Sequence, residues 1–334
     1  MESKLYRGKV VGSEGGLYKV VTDDGKIIEC PARGVFRHEG LKVLVGDNVT
    51  VRDENLAESA EGGKIESKKG GLSIFEVEER KNELIRPSMA NLDILFIVFA
   101  AARPDPMLVN IDKLTAVAAE NEIEPVIIVT KADIDGEKAE KYAEIYRKSG
   151  FHAFVAGDDR DVSELGRFIL SHAKGKTSAF AGASGVGKST LLTKLFPGLK
   201  LETGELSQKI QRGKHTTRHT KLYMLSEIAE GRFEEDELRG GFIADTPGFG
   251  ILDFVAFDFF TKDDLPFNFR EFVPYLTKCR YTKCTHLKEE GCAIIEAIEK
   301  GEIMPERHES YVSIFEDLKN KPAYPKKTTG KKKR

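Results

Sequence analysis

Apolar and polar residues alternate through the first part of the chain, and then the period changes. GKVVGSEGGLYKVVTDDGKIIECPARGVF (8–36) switches face residue by residue and is broken at Glu14-Gly15-Gly16 and Asp24-Gly25. LKVLVGDNVTV (41–51) and a Gly/Lys-rich stretch ending in GGLSIFEV (70–77) follow. Short strands spaced by about ten residues predict a small antiparallel β-barrel of OB-like type over residues 1–75. The polar stretch EERKNELIRP (78–87) reads as a linker, placed at 76–88.

Beyond it, LDILFIVFAA (92–101) and EPVIIVT (124–130) are unbroken apolar runs, as in strands buried on both faces of a parallel sheet. Helical patterns, MLVNIDKLTAVAAEN (107–121) and GEKAEKYAEIYRKSG (136–150), lie between and after them. The strand FHAFVA (151–156), the helix DVSELGRFILSHAK (161–174) and the strand KTSAFAG (176–182) continue the alternation. Strands alternating with helices predict a doubly wound α/β domain over 89–261. Residues 262–324 are mixed, with helical segments AIIEAIEKGEI (293–303) and ERHESYVSIFEDLKN (306–320), and 325–334 form a basic tail.

With 334 residues, 40% hydrophobic and 32% charged, the chain has material for several ordinary cores and does not have the composition of a disordered or fibrous protein. Its longest apolar run, Ile94 to Ala102, is too short to cross a bilayer, and the first ten residues lack the apolar core of a secretion signal. Four cysteines, three of them close together, are no disulfide framework, which leads to the expectation of a cytoplasmic protein without membrane contact. Net charge is −2, but the last ten residues carry six positive charges and no negative ones, leaving the remainder at −8. Such a tail suits phosphate backbones, whereas residues 1–75 balance 12 basic against 12 acidic side chains and offer no electrostatic case for RNA.

Gly182-Ala183-Ser184-Gly185-Val186-Gly187-Lys188-Ser189, followed by Thr190, satisfies G-x-x-x-x-G-K-[ST] between an apolar strand and a helix. Close-wrapping glycines aim backbone N–H groups at phosphates, and the helix N-terminus adds partial positive charge. Lys188 would reach the β- and γ-phosphates, and the Ser189 hydroxyl would ligate Mg²⁺. Downstream, Asp245-Thr246-Pro247-Gly248 ends a short strand, where Asp245 can hold Mg²⁺ and the Gly248 N–H can face the γ-phosphate.

Upstream, Thr130-Lys131-Ala132-Asp133 ends the EPVIIVT strand and resembles the guanine-reading N/T-K-x-D of GTPases. The Asp133 carboxylate accepts from N1–H and the exocyclic amine of guanine, and adenine offers no such pair. Ala156, after the next strand, falls where a small residue's N–H would meet guanine O6. The base-reading motif precedes the phosphate loop by 49 residues, the reverse of the ordinary order, which a circularly permuted chain tolerates.

Cys279-x4-Cys284-x-His286-x5-Cys292 suits one tetrahedral, structural Zn²⁺ with no open position, in a segment expected to have little core of its own. Cys30, alone, reads as a buried strand residue.

Permuted motifs, a preceding barrel and this cysteine spacing together resemble the ribosome small-subunit-dependent GTPase family, RsgA/YjeQ, over nearly the whole chain. The resemblance implies an OB-fold barrel, a permuted P-loop GTPase domain and a small, zinc-stapled, mostly helical C-terminal domain. It also implies GTP hydrolysis to GDP and phosphate, stimulated by the small ribosomal subunit, during late maturation of that subunit. The partners so implied are the subunit, its rRNA and GTP/GDP, and a monomer is expected. Two departures from the wider GTPase pattern stand out: Thr130 replaces Asn, and Phe249 stands where Ras-like enzymes carry a water-positioning Gln. Gly213-Lys214-His215-Thr216-Thr217 resembles the family's switch, so that Thr216 or Thr217 would complete the Mg²⁺ shell and His215 is the candidate for placing the attacking water. Two other readings remain at this point: an ATP-dependent small-molecule kinase, and a nucleotide-gated RNA-binding module with negligible turnover.

Overall fold

The computed structural model describes residues 4–54, 64–65, 71–85, 88–158, 161–198, 220–228, 240–245 and 260–319. The alternating segment folds into β1 (Lys4–Glu14), β2 (Leu17–Thr22), β3 (Ile27–Pro31), β4 (Asn48–Asp53), β5 (Lys64–Ile65) and β6 (Leu72–Val77). Their order is β5-β3-β2-β1-β4-β6, antiparallel except for β3 beside β5. Gly15 and Gly16, both at positive φ, make the two-residue turn that joins β1 to β2 in the hand of the sheet's twist. The sheet curls until Ala32 bridges Ile74, and every second residue, among them Val10, Val20, Ile28, Val49, Val51 and Ile74, fills the interior with Cys30.

Residues 78–87 are not the bare linker that their polarity suggests. A two-stranded hairpin, β7 (Glu83–Ile85) with β8 (Ser88–Ala90), occupies the junction. Leu84 and Met89 are buried and join Val11, Val21 and Val45 of the barrel to Leu92 and to Leu95 of the next strand in one core. The polar side chains pair backbone there. Asn82 donates to Leu92 O at 2.8 Å and accepts from Leu92 N–H at 2.9 Å, and Asn91 donates to Gly46 O at 3.0 Å. Arg80 grips the fully buried Asp47 at 2.7 and 2.8 Å.

The second sheet contains β9 (Ile94–Ala100), β10 (Glu124–Thr130), β11 (His152–Val155), β12 (Thr177–Ala181), β13 (Lys221–Met224) and β14 (Phe242–Asp245), in the order β11-β10-β9-β12-β14-β13. All are parallel except β13, a strand that the apolar pattern does not announce. Every residue of β9 and β12 is buried, which is why neither alternates. Helices Leu108–Glu120, Gly136–Lys148 and Ser163–Ala173 cover the sheet, as their apolar periodicity predicts. Strand order reverses between β9, whose chain runs on to β10, and β12, whose chain runs on toward β14. The crevice at that reversal, beyond the carboxyl ends of the strands, is where such sheets bind ligands.

The C-terminal region has more core than its length suggests. Leu265, Phe269, Phe272, Ile294, Ile303, Tyr311, Ile314 and Phe315 are buried together, and Ala116 of the Leu108–Glu120 helix joins them. The helix Pro305–Lys319 supplies three of these residues and the helix Ala293–Glu299 one. The expectation of a segment with little core of its own is therefore corrected: its aromatic cluster and packing against the Leu108–Glu120 helix compensate for short length. Arg307, fully buried, fastens the two. It donates to Asp112 at 2.5 Å, to Thr115 at 3.2 Å and to Glu271 at 2.6 and 3.2 Å. Burial opposes its charge, but Asp112 and Glu271 outweigh that and hold the guanidinium protonated. Among the described residues no helix is long and apolar enough to cross a membrane.

Candidate nucleotide site and metal centre

The phosphate-loop sequence turns tightly out of β12 into the helix Lys188–Leu195. Gly185 and Gly187 both take positive φ, which side chains rarely permit. Gly182 is needed for closeness: a Cβ there would lie 2.4 Å from Val98 O of β9. Val186 is buried, and Ala183 lies half-buried against the sheet core. Ser184, Gly185, Ser189 and Thr190 are exposed along the rim, while Gly187 and Lys188 are half-buried.

Thr130 ends β10, and its hydroxyl lies 2.5 Å from Val186 O and 3.1 Å from Phe99 O. One proton serves one acceptor at a time, and the nearer is the phosphate loop itself. Thr130 in place of the usual Asn therefore keeps a tie to the phosphate loop, since the shorter side chain still reaches Val186 O. Lys131 follows at φ +60°, a left-handed conformation unusual for a side-chain-bearing residue, and its ammonium donates to Arg103 O. Ala132 is buried, its N–H donating to Ala156 O at 3.1 Å. Asp133 is exposed at the rim and its Oδ1 accepts from Asp158 N–H at 3.0 Å, which orients the carboxylate.

Thr130, Lys131, Asp133, Ala156, Gly157 and Asp158 form one wall of a cavity of about 180 Å³, and Gly187, Thr190, Leu191 and Lys194 form the other. The two motifs, written far apart and in reverse order, face each other across it. Ala156 does not do what its position suggested: its N–H donates to Val129 O at 2.8 Å and is committed to the sheet. The next residue, Gly157, carries the backbone that opens on the cavity. Lys194 was not evident in sequence. It lies six residues past Lys188, and its ammonium reaches Gly157 O and Asp158 O at 3.2 Å and Asp158 Oδ1 at 3.0 Å.

The Asp245 backbone ends β14, paired with Lys221 of β13. Because Ala244 registers with Ala179 of β12, that end of β14 lies at the same edge of the sheet as the phosphate loop. The Asp245 side chain, His215, Thr216, Thr217, Gly248 and Phe249 lie outside the described residues, as does the 325–334 tail.

Cys279, Cys284, His286 and Cys292 bring their ligand atoms within 4.8 Å of one another. His286 Nδ1 lies 3.5 Å from both Cys279 Sγ and Cys292 Sγ. A tetrahedral ion with metal–sulfur bonds of about 2.3 Å and metal–nitrogen bonds of about 2.0 Å sets that edge at about 3.5 Å, so the cluster fits one metal ion with four protein ligands. Supporting groups hold the loop: Tyr311 donates to Thr285 O at 2.9 Å, and His308 Nε2 lies 2.7 Å from His286 O. Glu289 accepts from the N–H and hydroxyl of Thr285 at 2.6 and 2.5 Å and from Leu287 N–H at 2.9 Å. Burial works against its charge, but these bonds outweigh it and bring the carboxyl down to about 2.

Relabelled to start at β12, the second sheet reads 6-5-4-1-3-2, the ordinary order of P-loop GTPases cut at a different place. Fold and site together define a circularly permuted GTPase. Comparison with known proteins agrees. The model of the RsgA GTPase family matches residues 77–255, and that of the RsgA N-terminal domain matches residues 7–60. Small ribosomal subunit biogenesis GTPase RsgA of Caldanaerobacter subterraneus subsp. tengcongensis is 37% identical over 316 residues, covering 94% of this chain and 96% of that one. The Bacillus subtilis protein of the same name is 36% identical, covering 95% and 99%. Among solved structures, YloQ, described as a circularly permuted GTPase, matches with a TM-score of 0.71 and 31% identity over 96% of this chain and 98% of that one. YjeQ from Thermotoga maritima matches with 0.72 and 31% over 96% and 100%. The chain belongs to the RsgA GTPase family.

Proposed function

We propose that this GTPase hydrolyses GTP to GDP and phosphate during late maturation of the small ribosomal subunit, stimulated by that subunit. Small-subunit biogenesis is what the relatives' name says of them, and near-complete coverage of both chains supports carrying it over. The observation that carries the site reading is the single cavity with Asp133 on one wall and the phosphate-loop helix on the other.

In this reading the backbone of 182–189, with Lys188, cradles the phosphates, and charge developing on them meets N–H groups already aimed inward. Asp133 accepts from guanine N1–H and the exocyclic amine, Thr130 holds the base wall to Val186, and Gly157 N–H takes guanine O6 in place of Ala156. Ser189, Asp245 and Thr216 or Thr217 would hold Mg²⁺, which neutralises charge between the β- and γ-phosphates when bound. Gly248 N–H faces the γ-phosphate, and His215 places the attacking water. Zn²⁺ is the metal that the three thiolates and one imidazole select, and its role is structural. The protein works as a cytoplasmic monomer that binds rRNA through barrel, metal domain and basic tail.

Hydrolysis of GTP and of ATP, each with and without purified small subunits, tests the reading. GTP turnover that rises with subunits is expected, and His215→Ala should keep GTP binding while losing most of the rise. ATP turnover independent of RNA would instead make the protein a kinase-like enzyme, and no stimulated turnover of either would leave a binding module.

A further inference from the structure

Lys194 sits in the last turn of the helix whose first turn is the phosphate loop, and it spends its ammonium on the opposite wall of the cavity. Its three acceptors, Gly157 O at 3.2 Å, Asp158 O at 3.2 Å and Asp158 Oδ1 at 3.0 Å, all belong to one turn. An ammonium has three protons, so a single long side chain can be fully used there. The peptide between Gly157 and Asp158 is held at both ends. Its carbonyl oxygen faces Lys194, and its N–H donates to Asp133 Oδ1 at 3.0 Å. In a trans peptide these two groups point in opposite directions, so fixing one fixes the other.

The residue before that peptide is glycine, for which rotating the peptide costs little. A rotated peptide would turn its carbonyl oxygen toward the Asp133 carboxylate and push it off the nucleobase. We propose that Lys194 is a positioning residue for guanine recognition: by clamping the Gly157–Asp158 peptide it aims the Asp133 carboxylate at the base. With Thr130 bound to Val186 O, Lys194 makes the second tie between the base-reading wall and the phosphate-loop element. The sequence separates Lys194 from Asp133 by 61 positions, and no nucleotide-binding motif includes it.

The inference rests on Asp133 reading the base, and the experiment separates the two. Binding of GDP, inosine diphosphate (which lacks the 2-amino group) and ADP is measured by calorimetry for the full-length chain and for Lys194→Met, Lys194→Arg and Asp158→Ala. Lys194→Met, which keeps the aliphatic stem, is expected to weaken GDP about tenfold and inosine diphosphate much less, so that the ratio between them collapses. Lys194→Arg should restore most of the ratio. Asp158→Ala alters an exposed side chain and removes one of the three acceptors, so it should lower the ratio by a smaller factor and remain measurable even if Lys194→Met does not fold. Equal weakening of both nucleotides in Lys194→Met, or an unchanged ratio in either Lys194→Met or Asp158→Ala, overturns the role of Lys194. A wild-type chain that holds ADP as tightly as GDP overturns the reading of Asp133 and this inference with it.

Discussion

The nucleotide cavity and the metal cluster are built on opposite plans. At the cavity, each wall is a loop at the end of a buried strand, and the chemical groups sit at an exposed rim. The walls are tied by few bonds, chiefly Thr130 to Val186 and Lys194 to the 157–158 turn. At the cluster, Cys292 and His286 are themselves buried, beside the aromatic core of Phe269, Phe272 and Tyr311. A site that must admit and release a nucleotide keeps its polar groups at an open edge and uses strands to aim them. A site that only holds can bury its ligands. Effects of substitution should therefore appear as binding and specificity at the first and as stability at the second.

Removing the ion that the Cys279, Cys284, His286 and Cys292 cluster would hold gives the largest expected effect. Chelation, or Cys292→Ser, should open the 279–292 loop, a loss on the order of 10 kcal/mol in local stabilisation. Yet the Pro305–Lys319 helix should stay docked through its own core. Hydrogen exchange distinguishes the two: protection is lost in 279–292 and kept in 305–319. Simultaneous loss in both segments would mean that the metal, rather than the aromatic core, carries the domain.

Next comes Arg307→Met, which leaves Asp112 and Glu271 buried without their cation. It should cost about 3–5 kcal/mol in denaturant unfolding. GDP binding should persist, because none of these residues lines the cavity. The smallest of the three is Thr130→Val, similar in shape but without the hydroxyl. Losing the bond to Val186 O should weaken GDP binding by a factor of about ten with little change in melting temperature. A change in melting without a change in binding would place Thr130 with the stabilising residues instead.

Legibility followed the same division. The phosphate loop, Thr130 to Asp133 and the four metal ligands could be found because each is a short run with fixed spacing, set by backbone geometry or by an ion's size. Strands β9 and β10 were legible because burial on both faces makes 94–100 and 125–129 unbroken apolar runs. Lys194 and Arg307 carry no such mark: their partners lie 37 and 195 residues away, and a lysine or arginine in an amphipathic helix looks like a solvated one. Asn82 reads as linker polarity for the same reason, although it pairs backbone inside a junction. The aromatic core of the C-terminal region depends on a helix from the central domain, and no window of the local sequence contains both sides.

Guanine selection at the cavity depends on a carboxylate from one half of the permuted domain meeting a base whose phosphates are held by the other. Titrating GDP and xanthosine diphosphate into the wild-type chain and into Asp133→Asn tests that directly. Asparagine offers an amide N–H where the carboxylate accepted, so it should repel guanine's amine and pair with the carbonyl that xanthine carries there. GDP affinity should fall about a hundredfold or more while xanthosine diphosphate gains. Asp133→Asn holding GDP as tightly as wild type, with no gain for xanthosine diphosphate, would contradict the account.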